Sequence, residues 1–286
     1  MMLTQQSIQR FIRLALEEDG AFRDLTSRTI LPASAQIQAR IIAKSPGILA
    51  GGRIVAAVFR AVRPAVSCRL AAREGGALRA GQAIADVRGS ARAIFAAERT
   101  ALNLLGHLCG IATLTRAYVK QTRGTRAKIY DTRKTLPGLR TLEKYAVKVG
   151  GGENHRMGLH DAVLIKTNHL KALSRQQPTT TSIRAGIERA RRRAGKKFLE
   201  VEVTSLPEFQ AALDARPGAI LLDNWSLGQI KKAVDHRQGC RPLLEVSGGV
   251  TLNNVGPIAR TGVDRISIGR LTHSAPWLDV ALEVCG

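Results

Sequence analysis

The sequence predicts an α/β protein in two parts: an α+β unit, then a parallel sheet curled into a barrel or partial barrel. Three observations carry that reading. Before about residue 110, helical patterns bracket short strand-like pieces joined by Gly-rich turns. From Ala127 onward, six short apolar runs alternate with helical patterns, the rhythm of βαβ units and a parallel sheet. Polar residues then collect at or near the C-terminal ends of those six runs, on the face where parallel α/β barrels build their sites.

Composition sets the bounds. The 286 residues are 44% hydrophobic and 23% charged, ordinary for a globular protein and enough for one large domain or two smaller ones. The net charge of +22 suggests anionic partners. Most of it is accounted for by solvated helix faces such as "AGIERARRRAG". Cys68, Cys109, Cys240 and Cys285 form no C-x-x-C pair and have no His at metal-ligand spacing. They read as neither a zinc site nor a disulfide framework. No run approaches the roughly 20 apolar residues of a spanning helix, so no membrane is expected and a reducing cytoplasm is the default.

In chain order, "MMLTQQSIQRFIRLALEEDG" opens as an amphipathic helix over 7–18. It lacks the uninterrupted apolar core of a signal peptide and carries Glu17, Glu18 and Asp19. Strand-like pieces follow in "QIQARIIAKSPGILAG" and "VSCRLAAREGGAL", and "REGGALRAGQAIADVRG" is expected to form a small antiparallel sheet. A helix over about 91–117 closes this part. The six later strands are expected in "KIYDTRK", "AVLIKTNH", "FLEVEVT", "AILLDN", "LLEVSGG" and "DRISIG". Most are separated by helical patterns: "GLRTLEKYAVKV", "SIRAGIERARRRAG", "LPEFQAALDA", "SLGQIKKAVDHR" and "TLNNVGPIARTG". Right-handed crossovers would curl these units into the barrel.

The strand ends then name the candidate site. Thr132, Arg133 and Lys134 follow the first run, and His155 and Arg156 follow a Gly-Gly-Gly turn. A planar guanidinium fork and a compact ammonium suit carboxylate or phosphate. Lys166 ends an apolar strand, as an anion ligand or an imine-forming amine; the cations around it favour the anion ligand. Glu202 and Asp223 are the acids placed to face the same centre, for Mg²⁺ or sugar hydroxyls, or as salt-bridge partners of the basic cluster. Glu200 lies on the same strand face, and pattern alone does not choose between it and Glu202. Ser247, Gly248 and Gly249, and Ile268, Gly269 and Arg270, offer backbone N–H groups for phosphate.

The stretches "DTRKTLPGLRTLEKYAV", "GGGENHRMGLHDAVLIKTNH", "EVEVTSLPEF", "ILLDN", "LEVSGGVTLNNV" and "TGVDRISIGRLTHS", with "ERTALNLLGHLCGIAT" at 98–113, resemble nicotinate-nucleotide pyrophosphorylase, also called carboxylating quinolinate phosphoribosyltransferase. The resemblance implies an N-terminal α+β sandwich domain followed by an open, incomplete parallel α/β barrel. Domain bounds are then set at 1–112 and 113–274, with the tail from about 275 to 286 available to pack back on the first. It further implies a homodimer that joins quinolinate to 5-phosphoribosyl 1-pyrophosphate with Mg²⁺. The products would be nicotinate mononucleotide, CO₂ and pyrophosphate, on the de novo route to NAD.

By the same resemblance, Arg99 would reach into the partner's site and bind a quinolinate carboxylate. Thr132, Arg133, Lys134, His155, Arg156 and Lys166 would line the cationic pocket, with Lys134, Lys166, Glu202 and Asp223 carrying the chemistry. Glu202 and Asp223 would hold ribose hydroxyls and Mg²⁺, and the motif spacing selects Glu202 over Glu200. The 5′-phosphate would lie against Ser247–Gly249, Ile268–Arg270 and His273. Thr167 departs from the family's usual Asp after the strand lysine. Two alternatives stand beside this reading: a relative of the same scaffold from a molybdenum-transport operon, and a basic nucleic-acid-binding protein. The intact "TRK", "NHR" and "LIK" set argues against the first alternative. Scarce aromatics and the lack of a separate basic tail argue against the second.

Overall fold

The computed structural model describes residues 5–174, 179–237, 239 and 241–285, so Cys240 lies outside the described residues. The chain divides into two compact units. The first comprises Met1–Arg116, Leu136–Gly151 and Leu271–Gly286; the second comprises Ala117–Thr135 and Gly152–Arg270. The first therefore includes 136–151, inside the stretch that sequence assigns to the barrel.

The N-terminal elements are α1 (Gln5–Glu18), α2 (Leu25–Ile30), β1 (Gln36–Ala43), β2 (Gly47–Ile48), α3 (Gly52–Ala61), β3 (Ser67–Leu70), β4 (Ala77–Leu78), β5 (Ala83–Ser90) and the long α4 (Ala91–Gln121). Asp24 caps α2 by accepting the Ser27 N–H at 3.1 Å. The expected sheet over 73–89 forms differently. β5 pairs antiparallel with β1 and β3, whereas β4 pairs with β2 in a separate two-stranded ribbon. The turn at Gly81, with φ 79°, separates β4 from β5 without folding them into a hairpin. Ile41, Ile84, Phe59, Ile94, Leu105 and Leu108 fill the core of this unit, each such side chain contributing about 1.5–3 kcal/mol on burial.

The remaining elements are β6 (Lys128–Tyr130), α5 (Arg140–Gly150), β7 (Val163–Ile165), α6 (Thr167–Ser174), α7 (Thr179–Ala194), β8 (Leu199–Val203), α8 (Leu206–Ala215), β9 (Ala219–Asp223), α9 (Leu227–Arg237), β10 (Leu243–Ser247), α10 (Val255–Ala259), β11 (Arg265–Ser267), α11 (Arg270–His273) and β12 (Val280–Val284). β12 returns to the first unit and pairs antiparallel with β1, from Ala39↔Val284 to Ala43↔Val280. The segment before it lies against α4. A Cβ on Gly110 would sit 2.1 Å from the Pro276 carbonyl oxygen, so only glycine admits this approach.

The second unit is a six-stranded parallel sheet in the order β7-β8-β9-β10-β11-β6. That is the cyclic order of an α/β barrel, left open between β6 and β7. The edge of β6 is occupied by Glu153, which exchanges hydrogen bonds with Ile129 and Asp131 at 2.7 and 3.1 Å. Strand alternation sets the two faces. Val201, Val203, Ile220, Leu222, Leu244, Val246 and Ile266 are buried on one. By register, Glu200, Glu202, Asp223, Glu245, Ser247, Arg265, Ser267 and Tyr130 share the other. The interior of this open barrel is thus strongly polar, where an ordinary barrel packs aliphatic layers.

Candidate active site

β6 ends at Tyr130 and delivers Asp131, which is fully buried and accepts the His155 backbone N–H at 2.9 Å. Thr132 and Arg133 are half-buried and Lys134 is exposed in the loop beyond, where Thr132 Oγ1 accepts the Lys134 N–H at 3.0 Å. Arg156 holds its guanidinium by donating to the Ala162 carbonyl at 3.0 Å. Burial, and then the like charge of Arg133, make its protonated form harder to keep than usual. The fold therefore holds two guanidinium groups in mutual repulsion, an arrangement suited to a multiply charged anion.

On the neighbouring strands, Glu202 and Asp223 are half-buried. Asp223 is pushed above the ordinary carboxylate range by burial and by the charge of Glu202, with the Asn224 amide, Lys134 and Lys166 acting in the opposite direction. Two carboxylates and two ammonium groups thus share one electrostatic neighbourhood. β7 is shorter than its apolar run suggests. It stops at Ile165, and Thr167, Asn168 and His169 form the first turn of α6. His169 Nδ1 there accepts the exposed Lys166's N–H at 2.9 Å.

Beneath these groups lies a cluster that sequence reasoning did not assemble. His155 Nε2 stands 3.1 Å from Glu200 Oε2 and 3.4 Å from Glu245 Oε1, and its Nδ1 accepts the Arg156 backbone N–H at 2.9 Å. Both ring nitrogens are therefore engaged within the protein. Glu200 and Glu245 are 1% and 0% exposed. Burial acts first to lower the imidazole's affinity for a proton, but the two carboxylates outweigh it and raise it. A ring that accepts at Nδ1 carries its proton on Nε2, facing the two carboxylates. Glu200 is raised to about 7, by burial first and by the charge of Glu245 second, with His155 acting in the opposite direction. Against its burial, Glu245 is lowered by His155, Ser267 and Arg265. The signal for Glu245 was present: an acid between Leu244 and Val246 in an apolar strand is expensive to bury without a partner.

Ser247, Gly248 and Gly249 follow β10. Gly248 and Gly249 have φ of 87° and 61°, and Asn224, on the adjacent strand end, also lies in the left-handed region at 58°. A Cβ on Gly248 would fall 2.1 Å from Asn224 Oδ1. The turn is braced by Asn254, which donates to the Gly249 carbonyl at 3.0 Å and accepts the Thr251 N–H at 2.8 Å. Ile268 is buried, its N–H donating to the Tyr130 carbonyl at 2.9 Å, and Gly269 and Arg270 lead into α11. Arg99, exposed on α4, and His273, exposed with Nδ1 2.6 Å from Ser274 Oγ, belong to the first unit. So does the buried Lys144, which divides the basic stretch at 131–170 between the two units.

An open parallel α/β barrel with paired cations and carboxylates at its strand ends defines an enzyme of anionic small molecules. The chain belongs to the quinolinate phosphoribosyl transferase family: residues 24–109 match that family's N-terminal domain and residues 111–283 its C-terminal domain. It is 43% identical over 278 residues to the nicotinate-nucleotide pyrophosphorylase [carboxylating] of Mycobacterium leprae, covering 96% of this chain and 95% of that one. It is 36% identical over 289 residues to quinolinate phosphoribosyltransferase [decarboxylating] 1b of Nicotiana tabacum, covering 96% and 81%. Among solved structures it matches NadC from Streptococcus pyogenes with a TM-score of 0.91 at 37% identity, covering 100% of both chains. The nicotinate-nucleotide pyrophosphorylase of Francisella tularensis matches with a TM-score of 0.90 at 35% identity, covering 99% and 98%.

Proposed function

We propose that this chain transfers the phosphoribosyl group of 5-phosphoribosyl 1-pyrophosphate to quinolinate, with loss of CO₂, in NAD biosynthesis. The observation that carries this reading is the pair Arg133 and Arg156, held together in spite of their like charge. A dianion such as quinolinate compensates both at once. Lys134 and Lys166, facing Asp223, suit the pyrophosphate of the donor. Glu202 and Asp223 suit its ribose hydroxyls and tolerate positive charge at the anomeric carbon.

Those two acids also fit Mg²⁺. They offer hard oxygens, and they stand close enough for one charge to raise the other. Bound there, Mg²⁺ would neutralise the departing pyrophosphate. The quinolinate nitrogen displaces pyrophosphate from the anomeric carbon and becomes cationic. The ring then accepts the electron pair left as the adjacent carboxylate departs as CO₂, and a proton replaces it. No enzyme nucleophile is required, so positioning and electrostatics do the catalysis. The 5′-phosphate is assigned to Ser247–Gly249 and Ile268–Arg270, with His273. The working unit is a homodimer in which Arg99 of one chain completes its partner's site. The cytoplasm is its compartment, in keeping with the free Cys68, Cys109 and Cys285.

Steady-state assays with quinolinate and nicotinate side by side test this. Turnover of quinolinate with little or none of nicotinate is expected. Comparable rates with nicotinate overturn the assignment.

A further inference from the structure

We propose that Glu200 and Glu245 are positioning residues that clamp the His155 ring and so hold Arg156 in place against Arg133 in the empty site. The proposal rests on the reading of Arg133 and Arg156 as the quinolinate cradle.

His155 is fastened at three points. Its backbone N–H donates to buried Asp131 at 2.9 Å, its Nδ1 accepts from the next residue's N–H at 2.9 Å, and its Nε2 faces Glu200 and Glu245 at 3.1 and 3.4 Å. Tyr130 closes on the ring edge-on, with centroids 6.5 Å apart. Glu245 is in turn approached by Arg265 at 3.8 Å, whose guanidinium stacks over the Tyr130 and Phe198 rings. Strands β6, β8, β10 and β11 therefore converge on one imidazole. The residue bonded to that imidazole is Arg156, and the charge of Glu200 favours its guanidinium. The clamp thus supplies geometry, through the ring, and a counter-charge behind two repelling cations. Preorganisation of this kind spares a ligand the cost of assembling its own site.

The same three groups have the composition of a metal site, with ligand atoms all within 4.8 Å of one another. The Arg156 N–H at Nδ1 argues otherwise. It places the ring proton on Nε2, and a protonated nitrogen cannot ligate. The cluster is held by the hydrogen bond between Nε2 and Glu200 and by the charge of Glu245 3.4 Å away.

Calorimetry of quinolinate and of the phosphoribosyl donor against Glu245→Leu and Glu245→Gln tests the clamp. Glu245→Leu removes one member of a buried charged cluster and costs stability, so the thermal midpoint of each variant is recorded and the conservative Glu245→Gln keeps the test falsifiable if the leucine variant does not fold. Glu245→Leu should weaken quinolinate about tenfold, the scale of one charge-assisted hydrogen bond, with donor affinity within about twofold. Glu245→Gln keeps an acceptor for Nε2–H and should recover part of the loss. Equal losses for both ligands, or none for quinolinate, overturn the proposal. Nitrogen NMR of His155 in the ligand-free wild type gives an independent reading: Nε2 protonated and Nδ1 not. The opposite tautomer, or a stoichiometric metal ion in purified protein that Glu245→Leu loses, also overturns it. If the wild type binds no quinolinate, the functional reading fails instead, and the tautomer still decides whether the clamp exists.

Discussion

Thr167 donates both its backbone N–H and its hydroxyl to a single oxygen of Glu202, at 3.1 and 2.8 Å. The first turn of α6 thereby fixes one acid of the proposed donor site and leaves its second oxygen for a ligand. Thr167→Val keeps the shape and removes the hydroxyl. It should cost about 0.5–1.5 kcal/mol, roughly two- to tenfold in donor affinity, with Thr167→Ser close to wild type. Calorimetry of the donor with Mg²⁺ checks this, and equal loss in Thr167→Ser would point to packing instead.

Arg156→Gln should separate binding from stability. The substitution removes one of two repelling cations, so the thermal midpoint should hold or rise. Quinolinate affinity should fall at least about tenfold, since a charged hydrogen bond contributes about 1.5–3 kcal/mol. A fall in midpoint with unchanged affinity would make Arg156 a structural residue.

Arg99→Ala should lose quinolinate affinity and keep its fold, because the side chain is exposed. Mixed with inactive Lys166→Ala, it should regain part of the activity, since one hybrid site per dimer carries both wild-type residues. No recovery under proven subunit exchange would confine Arg99 to its own chain.

Gly248→Ala meets two obstacles, a φ of 87° and the Asn224 side chain at 2.1 Å from the new Cβ. Asn224 must move, and the left-handed backbone adds about 1–2 kcal/mol. Donor affinity should drop more than quinolinate affinity. A Gly248→Ala/Asn224→Gly double variant, which clears the space but not the backbone strain, should recover only part.

Asp24 supplies a pH test. The Ser27 hydrogen bond, its largest influence, holds its carboxyl below the ordinary range against a small opposing effect of burial. A depressed carboxyl contributes stability that is present above its unfolded value, about 3.9, and is lost as pH falls through the folded value. Asp24→Asn still caps α2 but does not titrate. The midpoint difference between wild type and variant should be constant above about pH 5 and shrink below about pH 4. A difference that persists in acid would show that capping charge plays no part.

The second unit was the more legible half. The run "FLEVEVT" alternates with period two, whereas "AILLDN" is apolar up to Asp223; Glu202 and Asp223 fall on one face because β8 and β9 lie in register, Glu202 beside Leu221. Thr167 was misread as a strand tail, since an apolar run does not reveal where its last residue turns into a helix. Strand pattern alone does not give Glu200 or Glu245 a role, because the meaning of a buried acid depends on a histidine 45 or 90 residues away, and no local pattern records that. In the first unit, β4 and β5 are adjacent in sequence but pair elsewhere, a choice made by distant partners rather than by the turn between them.

The pairing of β12 with β1 has a consequence for biosynthesis. A ribosome releases β1 early and its neighbour Val280–Val284 only after the last strand of the parallel sheet. Until then, one side of that sheet presents unpaired amides, a template for stray strands. The nascent chain must therefore wait, with its first-made sheet unfinished, while the whole parallel sheet is synthesised.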